Sequence, residues 1–420
     1  MRPRKIWDIV VVAVFLTAVC SLLFYFSFDF TPRASSTSEN RTLTTFEAPT
    51  AEGVLSGQYQ KQFETALSDQ AFFREDMLNL NSAWNREMGK LAFFFTGEKD
   101  GGRIIAELSG DIMLLDYRGH RTLLQEPFQY DEQVAERIVS GAQEFGDATA
   151  ALPDTRFVLC AVEPSFLSAA GPLNRYYPDP VAGRYVDLLL ENLPEEVDAF
   201  AIREDTVEGL LESWYDTAHH CRGTVAAEIY TELYGRLSAG REDFGPMYDL
   251  TVREIPYTLG RGSKARNALY PGITESLTGL AAETPDYPVT LDGESMPRSH
   301  AARVLSGELA AEQAAQDSVD SIYFNYYAEY FGFDYAVVTY DNPEAQSDRV
   351  LVLVGPSYTQ TFEKYLVEGY RKVYVIDPRY FEEYSGDKFH LVEFASEVGA
   401  DDVVYCIQPQ YLDEEIWRVN

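Results

Sequence analysis

The sequence predicts an α/β protein: a parallel sheet flanked by helices, with an irregular insertion, behind one N-terminal transmembrane helix. Two patterns carry this expectation. From about residue 91 onward, short uninterrupted apolar runs alternate with segments of helical periodicity, as strands joined by crossover helices do. At the other end, Ile9 to Phe28 contains no charged residue and follows Arg2, Arg4 and Lys5.

The N-terminal run is long enough to cross a bilayer, since an apolar helix of about 20 residues spans roughly 30 Å. Basic residues before it and Trp7 at the interface predict a cytoplasmic N-terminus over 1–8, an anchor over 9–28 and an extracytoplasmic remainder at the cell membrane. A cleaved signal is the alternative, but its apolar region would be shorter and no small-residue cleavage site follows Phe28. Thr31 to Ser38 reads as a polar linker. Between Gly57 and Lys90, Phe63, Leu67, Phe72, Met77, Leu80, Trp84 and Met88 recur at helical intervals, predicting two helices joined near Ser68-Asp69-Gln70. Residues 29–90 are thus a linker and helical segment, and 91–420 the α/β domain.

The clearest strands are Phe157 to Val162, Ala199 to Ile202, Val350 to Val354, Val373 to Ile376 and Val403 to Ile407. Their unbroken apolar character suits strands covered on both faces. Helices are expected at Val225 to Leu237 and at Thr359 to Gly369, and the final run of βαβ units predicts parallel pairing. About 238–347 reads as an irregular insertion. Its end holds eight tyrosine and phenylalanine residues between Tyr323 and Tyr335, either a sugar-stacking wall or packing against the sheet.

Composition narrows the function classes. The chain is 46% hydrophobic and 24% charged, ordinary for a folded protein, with 67 acidic against 34 basic residues and a formal charge of -33. Such a field argues against a nucleic-acid partner and suits neutral or cationic substrates. Cys160 and Cys406 sit in strand-like runs, where a thiol serves as a small hydrophobe, and no disulfide framework is implied.

Chemistry concentrates in two places. One is Trp214-Tyr-Asp-Thr-Ala-His-His-Cys-Arg222, which holds two of the five histidines, His219 and His220, near Asp216. An imidazole beside a carboxylate in a loop is a natural general base, and a loop held by ordinary hydrogen bonds is the plainer reading. No third ligand with recognisable spacing accompanies the pair, so a metal site is the weakest reading. The other place is Ser357, which follows a strand through Gly355-Pro356 and opens a helix, the setting of a nucleophilic serine. Ser357 with Gln360 is equally a capping box, in which the hydroxyl only satisfies orphan amides.

Four segments together resemble the DHHW family of membrane-anchored extracytoplasmic proteins, related to the SGNH-like acetyltransferases of alginate O-acetylation. They are Glu39-Asn-Arg-Thr-Leu43, Ser68-Asp-Gln-Ala-Phe-Phe-Arg-Glu-Asp76, Tyr215 to Arg222, and Val354-Gly-Pro-Ser-Tyr358 with Lys372 to Tyr380. The resemblance implies an SGNH-hydrolase-like fold and a Ser-His-Asp triad with Ser357 as nucleophile and His220 as base. It also implies acyl esters of cell-surface polysaccharide as substrate, a membrane-bound acyl-transfer partner, and no cofactor. The chain departs from the family pattern at three positions. The family aspartate falls on Ala218, the tryptophan on Cys221, and the aspartate before the serine on Pro356. The resemblance also sets a family Gly-Asn pair against Phe333-Asp334, which would remove an amide donor if that asparagine helps bind an oxyanion. Asp216 and His219 form an Asp-x-x-His spacing that offers a substitute acid and base. The alternative is a degenerate triad in a glycan-binding or assembly subunit.

Overall fold

The structure is a computed structural model that describes residues 10–21, 32–36, 41–71, 74–93, 97–126, 128, 131–164, 171–178, 183–295, 310–311, 324–417 and 419. It divides into two compact units, Met1–Asn79 and Leu80–Asn420. In the first, 10–21 are helical, and no helix among the described residues is long and apolar enough to cross a membrane. The ends of the expected span, 9 and 22–28, lie outside the described residues, as do 37–40, 72–73 and 312–323 of the segments singled out above.

The first unit pairs strands β1 (Ser35–Ser36) and β2 (Arg41–Thr42) antiparallel, followed by helices Ala51–Ser56 and Gln58–Asp69. The Ser68-Asp69-Gln70 joint acts as a clasp. The Gln70 amide accepts from Arg33 N at 2.9 Å and donates to the Arg33 and Thr44 carbonyls at 3.0 Å each, while Thr44 N donates to the Asp69 carboxylate at 2.9 Å. Asp69 and Gln70 are buried, so these bonds replace water that the side chains give up. Helix Arg74–Phe93 begins in this unit and ends in the second.

The second unit opens with an antiparallel meander, β3 (Gly102–Glu107), β4 (Ile112–Tyr117) and β5 (His120–Gln125), not foreseen from sequence. Then follow β6 (Arg156–Val162), β7 (Val197–Ile202), the pair β8 (Thr251–Glu254) and β9 (Thr278–Ala281), and β10 (Val289–Leu291) with β11 (Glu294–Ser295). The chain ends with β12 (Val337–Asp341), β13 (Val350–Val354), β14 (Lys372–Ile376) and β15 (Asp402–Ile407). Eight strands form the central sheet in the order β11-β10-β12-β14-β13-β15-β6-β7.

Five neighbours, β14-β13-β15-β6-β7, are parallel, and β12, β10 and β11 extend the sheet antiparallel on one edge. The expectation of a parallel sheet is therefore corrected to a mixed, parallel-rich one. The antiparallel edge comes from 289–341, the stretch that reads as irregular because its strands are short. β10 turns into β11 through Asp292-Gly293, both at positive φ, a two-residue hairpin that needs no crossover.

Both faces of the parallel core are covered, which explains its unbroken apolar runs. Along β6, Val158, Cys160 and Val162 face helix Gly223–Ser238 through Val225, Ile229, Leu233 and Leu237. The alternate residues Phe157, Leu159 and Ala161 face helix Glu132–Ala151 through Ile138, Ala142 and Phe145. The predicted helix 359–369 is instead broken into Thr359–Thr361, Glu363–Leu366 and Val367–Gly369, the outer two being 3₁₀ turns. Cys160, Cys221 and Cys406 are buried free thiols.

At the amino end of β15, Asp402 is fully buried and accepts from Arg241 at 2.5 and 3.0 Å and from the Tyr370 hydroxyl at 2.9 Å. Asp402→Ala leaves Arg241 without its acid, and we expect a loss of about 3 kcal/mol in urea denaturation. An unchanged midpoint would show that this pair does not hold the sheet to its neighbouring helix.

Candidate active site

The histidine pair is carried by a short loop closed on itself. Trp214 and Cys221 form an antiparallel bridge, Tyr215 N donates to the His220 carbonyl at 3.3 Å, and Arg222 N donates to Ser213 O at 2.8 Å. The Glu275 carboxylate pins the loop tip, accepting from Asp216 N at 2.9 Å, Thr217 N at 2.6 Å and Thr217 Oγ1 at 2.5 Å, and pairing with Arg222 at 2.8 Å. Lys264 adds bonds to the Tyr215 and Leu123 carbonyls at 3.0 and 2.6 Å, and burial lowers its pKa to about 8. With so many backbone groups fixed, the loop presents His220 in one direction.

Ser357 is presented by the turn after β13. A Cβ on Gly355 would lie 2.8 Å from the Cys406 carbonyl and 2.7 Å from Thr359 Cγ2, so only glycine lets the chain leave the sheet this closely against β15. Ser357 Oγ and His220 Nε2 are 2.9 Å apart across 137 positions of sequence. The described hydrogen bonds place the serine hydroxyl on an imidazole and not on a helix amide. Gln360, the other half of the supposed capping box, donates its amide to Asp334 at 2.9 Å, and the 3₁₀ turn Thr359–Thr361 has no side-chain cap. The Ser357 and Tyr358 N–H groups have no acceptor among the described residues, which leaves them available as donors to an oxyanion.

Asp216 goes elsewhere. Its carboxylate accepts from His120 Nε2 at 2.9 Å and Arg222 Nη2 at 3.4 Å, so the structure does not bring the Asp-x-x-His pair together. His219 Nδ1 lies 2.6 Å from Ser263 Oγ, not against Ser357. Ala218, where the resemblance expects the acid, abuts Gly262 so closely that a Cβ there would come within 2.3 Å of the alanine methyl. Among the described residues, no carboxylate is bonded to His220 Nδ1.

Aromatic packing holds the His220 ring instead. Tyr327 stacks on it with centroids 3.6 Å apart and planes 7° from parallel, and the Tyr327 hydroxyl donates to the Ser357 carbonyl at 3.0 Å. One side chain thus touches both members of the pair. The aromatic run therefore packs onto the site itself, with Tyr327 the residue that reaches the histidine. Burial, with Arg266 and Arg379 nearby, holds His220 well below the usual histidine range, and burial with Lys264 brings His219 down to about 4. Both rings are neutral at pH 7, the state a base needs. Burial pushes the Cys221 thiol up to about 12, so it is no competing nucleophile.

Each member of the pair lines a small cleft. One is lined by Thr217, His220, Ser263, Arg266 and Tyr327, and the other by Asp334, Gly355, Ser357, Gln360 and Asp377. Asp334 lines the same cleft as Ser357, bonded to the Tyr380 hydroxyl at 3.2 Å and 3.8 Å from Arg379, which is itself paired with Asp377 at 2.5 Å. A carboxylate there supplies no donor to an oxyanion. Sequence reasoning missed His120, Ser263, Arg266 and Glu275, which are remote in sequence from His220 and carry no local motif, and it singled out the aromatic run of Tyr327 without placing it on the histidine. Among the described residues, no group of three or more His, Cys, Asp or Glu is arranged to hold a metal ion.

Solved structures of similar fold exist. Bacillus cereus PatB1, determined with a sulfonyl adduct, superposes with a TM-score of 0.51 at 14% identity, over 71% of this chain and 97% of that one. A DHHW family protein from Eubacterium siraeum gives 0.51 at 15% identity, over 73% and 93%. The chain shares its fold with both. The O-acetyltransferase domain of Pseudomonas putida AlgJ matches at a TM-score of 0.40 and 11% identity, over 73% and 91%. No protein-family model and no curated protein matches the sequence.

Titration of the histidine rings by NMR tests the electrostatics. His219 should protonate near pH 4 instead of near 6.5. Because the unfolded chain binds that proton first, the linked stability is present above pH 6.5 and is lost as pH falls toward 4. His219→Asn should flatten that part of the stability profile, whereas a His219 ring titrating near 6.5 would mean that it is not buried as described.

Proposed function

We propose that the chain is a membrane-anchored extracytoplasmic SGNH-like protein that acts on acyl, in the first place acetyl, esters of cell-surface polysaccharide through Ser357 and His220. The single observation that carries this reading is the 2.9 Å contact between Ser357 Oγ and His220 Nε2 in the strand-turn setting of a nucleophile. Ser357 Oγ attacks the acyl carbon as its proton passes to His220 Nε2. Collapse of the tetrahedral adduct expels the donor alcohol, which takes that proton. A second hydroxyl, from polysaccharide or water, then attacks the acyl-serine as its proton passes to His220, and collapse of that adduct breaks the acyl–serine bond and returns the proton to Ser357 Oγ. The Ser357 and Tyr358 N–H groups stabilise the oxyanion, and Tyr327 fixes the plane of the base. A membrane-bound partner supplying the acyl group fits the anchor over 9–28 and is part of the proposal.

A second reading has its own support. With no acid on His220 Nδ1 and a carboxylate at Asp334, the site lacks two aids to acyl transfer; in the serine-protease template, loss of the acid alone costs about four orders of magnitude. A glycan-binding or assembly subunit would retain such a cleft without turnover.

A sulfonyl fluoride separates the two, and the adduct seen with PatB1 recommends that reagent class. Serine displaces fluoride from sulfur, forming an S–O bond while its proton passes to histidine. Labelling should map to Ser357, disappear in Ser357→Ala, and slow by about 100-fold or more in His220→Asn but only several-fold in His219→Asn. Tyr327→Phe should keep most of the rate and Tyr327→Leu should lose roughly tenfold, as befits a ring held by stacking. No labelling of Ser357 above the rate of exposed serines would favour the non-catalytic subunit.

A further inference from the structure

The cleft beside His220 contains a positive charge that no described acid neutralises. Arg266, on the short helix Ser263–Asn267, is only 8% exposed and lines this cleft. Its guanidinium makes one long hydrogen bond among the described residues, from Nη1 to the Phe324 carbonyl at 3.5 Å. No described carboxylate stands within ion-pair distance of it. Glu275, which lines the same cleft, is committed to Arg222 and to the amides of Asp216 and Thr217. Burial accordingly lowers the Arg266 pKa to about 10, with no acid to raise it.

Two other arginines near the site are treated differently. Arg222 pairs with Glu275 and Asp216, and Arg379 with Asp377. A buried guanidinium has five donors to satisfy, and holding it without a carboxylate partner is costly. Kept at the wall of an open cleft, beside a base and a nucleophile, such a group is completed by a ligand. Its planar fork matches the two oxygens of a carboxylate or phosphate.

We propose that the cleft lined by Arg266, Ser263 and Thr217 is an oxyanion-binding subsite that receives a carboxylate or phosphate group of the substrate. Its use, orienting an anionic sugar so that its ester or acceptor hydroxyl meets Ser357, rests on the acyl-transfer reading; its existence does not. The subsite also qualifies what net charge suggests. A chain with a formal charge of -33 repels polyanions at long range, yet this cleft selects for a negative group at contact.

Calorimetric titration of the full chain with glucuronate and with glucose 1-phosphate, with glucose as the neutral control and ionic strength matched by sodium chloride, tests the subsite. Using Ser357→Ala makes the result independent of acyl chemistry. Saturable binding of at least one anionic sugar, at least tenfold tighter than glucose, is expected, and the tighter of the two tells carboxylate from phosphate. Arg266→Gln should lose at least tenfold and Arg266→Lys should retain part of the affinity. In the wild-type chain the same anion should shift the His219 and His220 ring resonances, a readout that survives if Arg266→Gln does not fold. Equal binding of glucose and both anions, or undiminished binding by folded Arg266→Gln, would overturn the proposal. Anion binding without Ser357 labelling would leave the subsite standing and remove the acyl-transfer reading.

Discussion

The hydrogen bond between His220 and Ser357 requires two remote parts of the chain to be placed within a few tenths of an ångström. Ser357 owes its position to the parallel pairing of β13 with β14 and β15 and to the close exit at Gly355. His220 owes its position to a loop whose tip is fixed by Glu275 and whose ends are bridged at Trp214 and Cys221. The sheet supplies one half of the contact and the Glu275 carboxylate the other. Loss of either would separate the pair without touching its members.

His220 is kept neutral and oriented with no acid on its Nδ1 among the described residues. In a Ser-His-Asp constellation the carboxylate fixes the tautomer and stabilises the imidazolium that forms. Here burial and the positive charges of Arg266 and Arg379 keep the ring neutral, and Tyr327 fixes its plane. Neither feature stabilises an imidazolium, so the proposed acyl transfer is expected to be slower than that of an intact triad. Asp216, the nearest candidate acid in sequence, spends its charge on His120 and Arg222 and so serves the loop.

Legibility in the sequence followed the range of the forces involved. The parallel strands announce themselves because burial on both faces forces every residue to be apolar, and Ser357 with His220 was reachable through local motifs and a family resemblance. The antiparallel edge was hidden because β10 and β11 span only three and two residues, although Asp292-Gly293 is a hairpin signal that a stricter reading would have caught. Glu275 and Arg266 were hidden for another reason. Their roles come from what lies near them in space, and nothing in their local sequence separates a pinned carboxylate or an unpaired guanidinium from a solvated one. The capping box at Ser357 misled because its spacing is met while the turn that follows is 3₁₀ and uncapped.

The account stands or falls on whether Ser357 carries an acyl group. Peptide mass mapping of the chain, acid-quenched after mixing with an activated acetyl ester, tests this most directly. It should find one acetyl group on Ser357, absent when His220 is replaced by asparagine. Acetylation confined to surface lysines, with Ser357 unmodified at every time point, would contradict it.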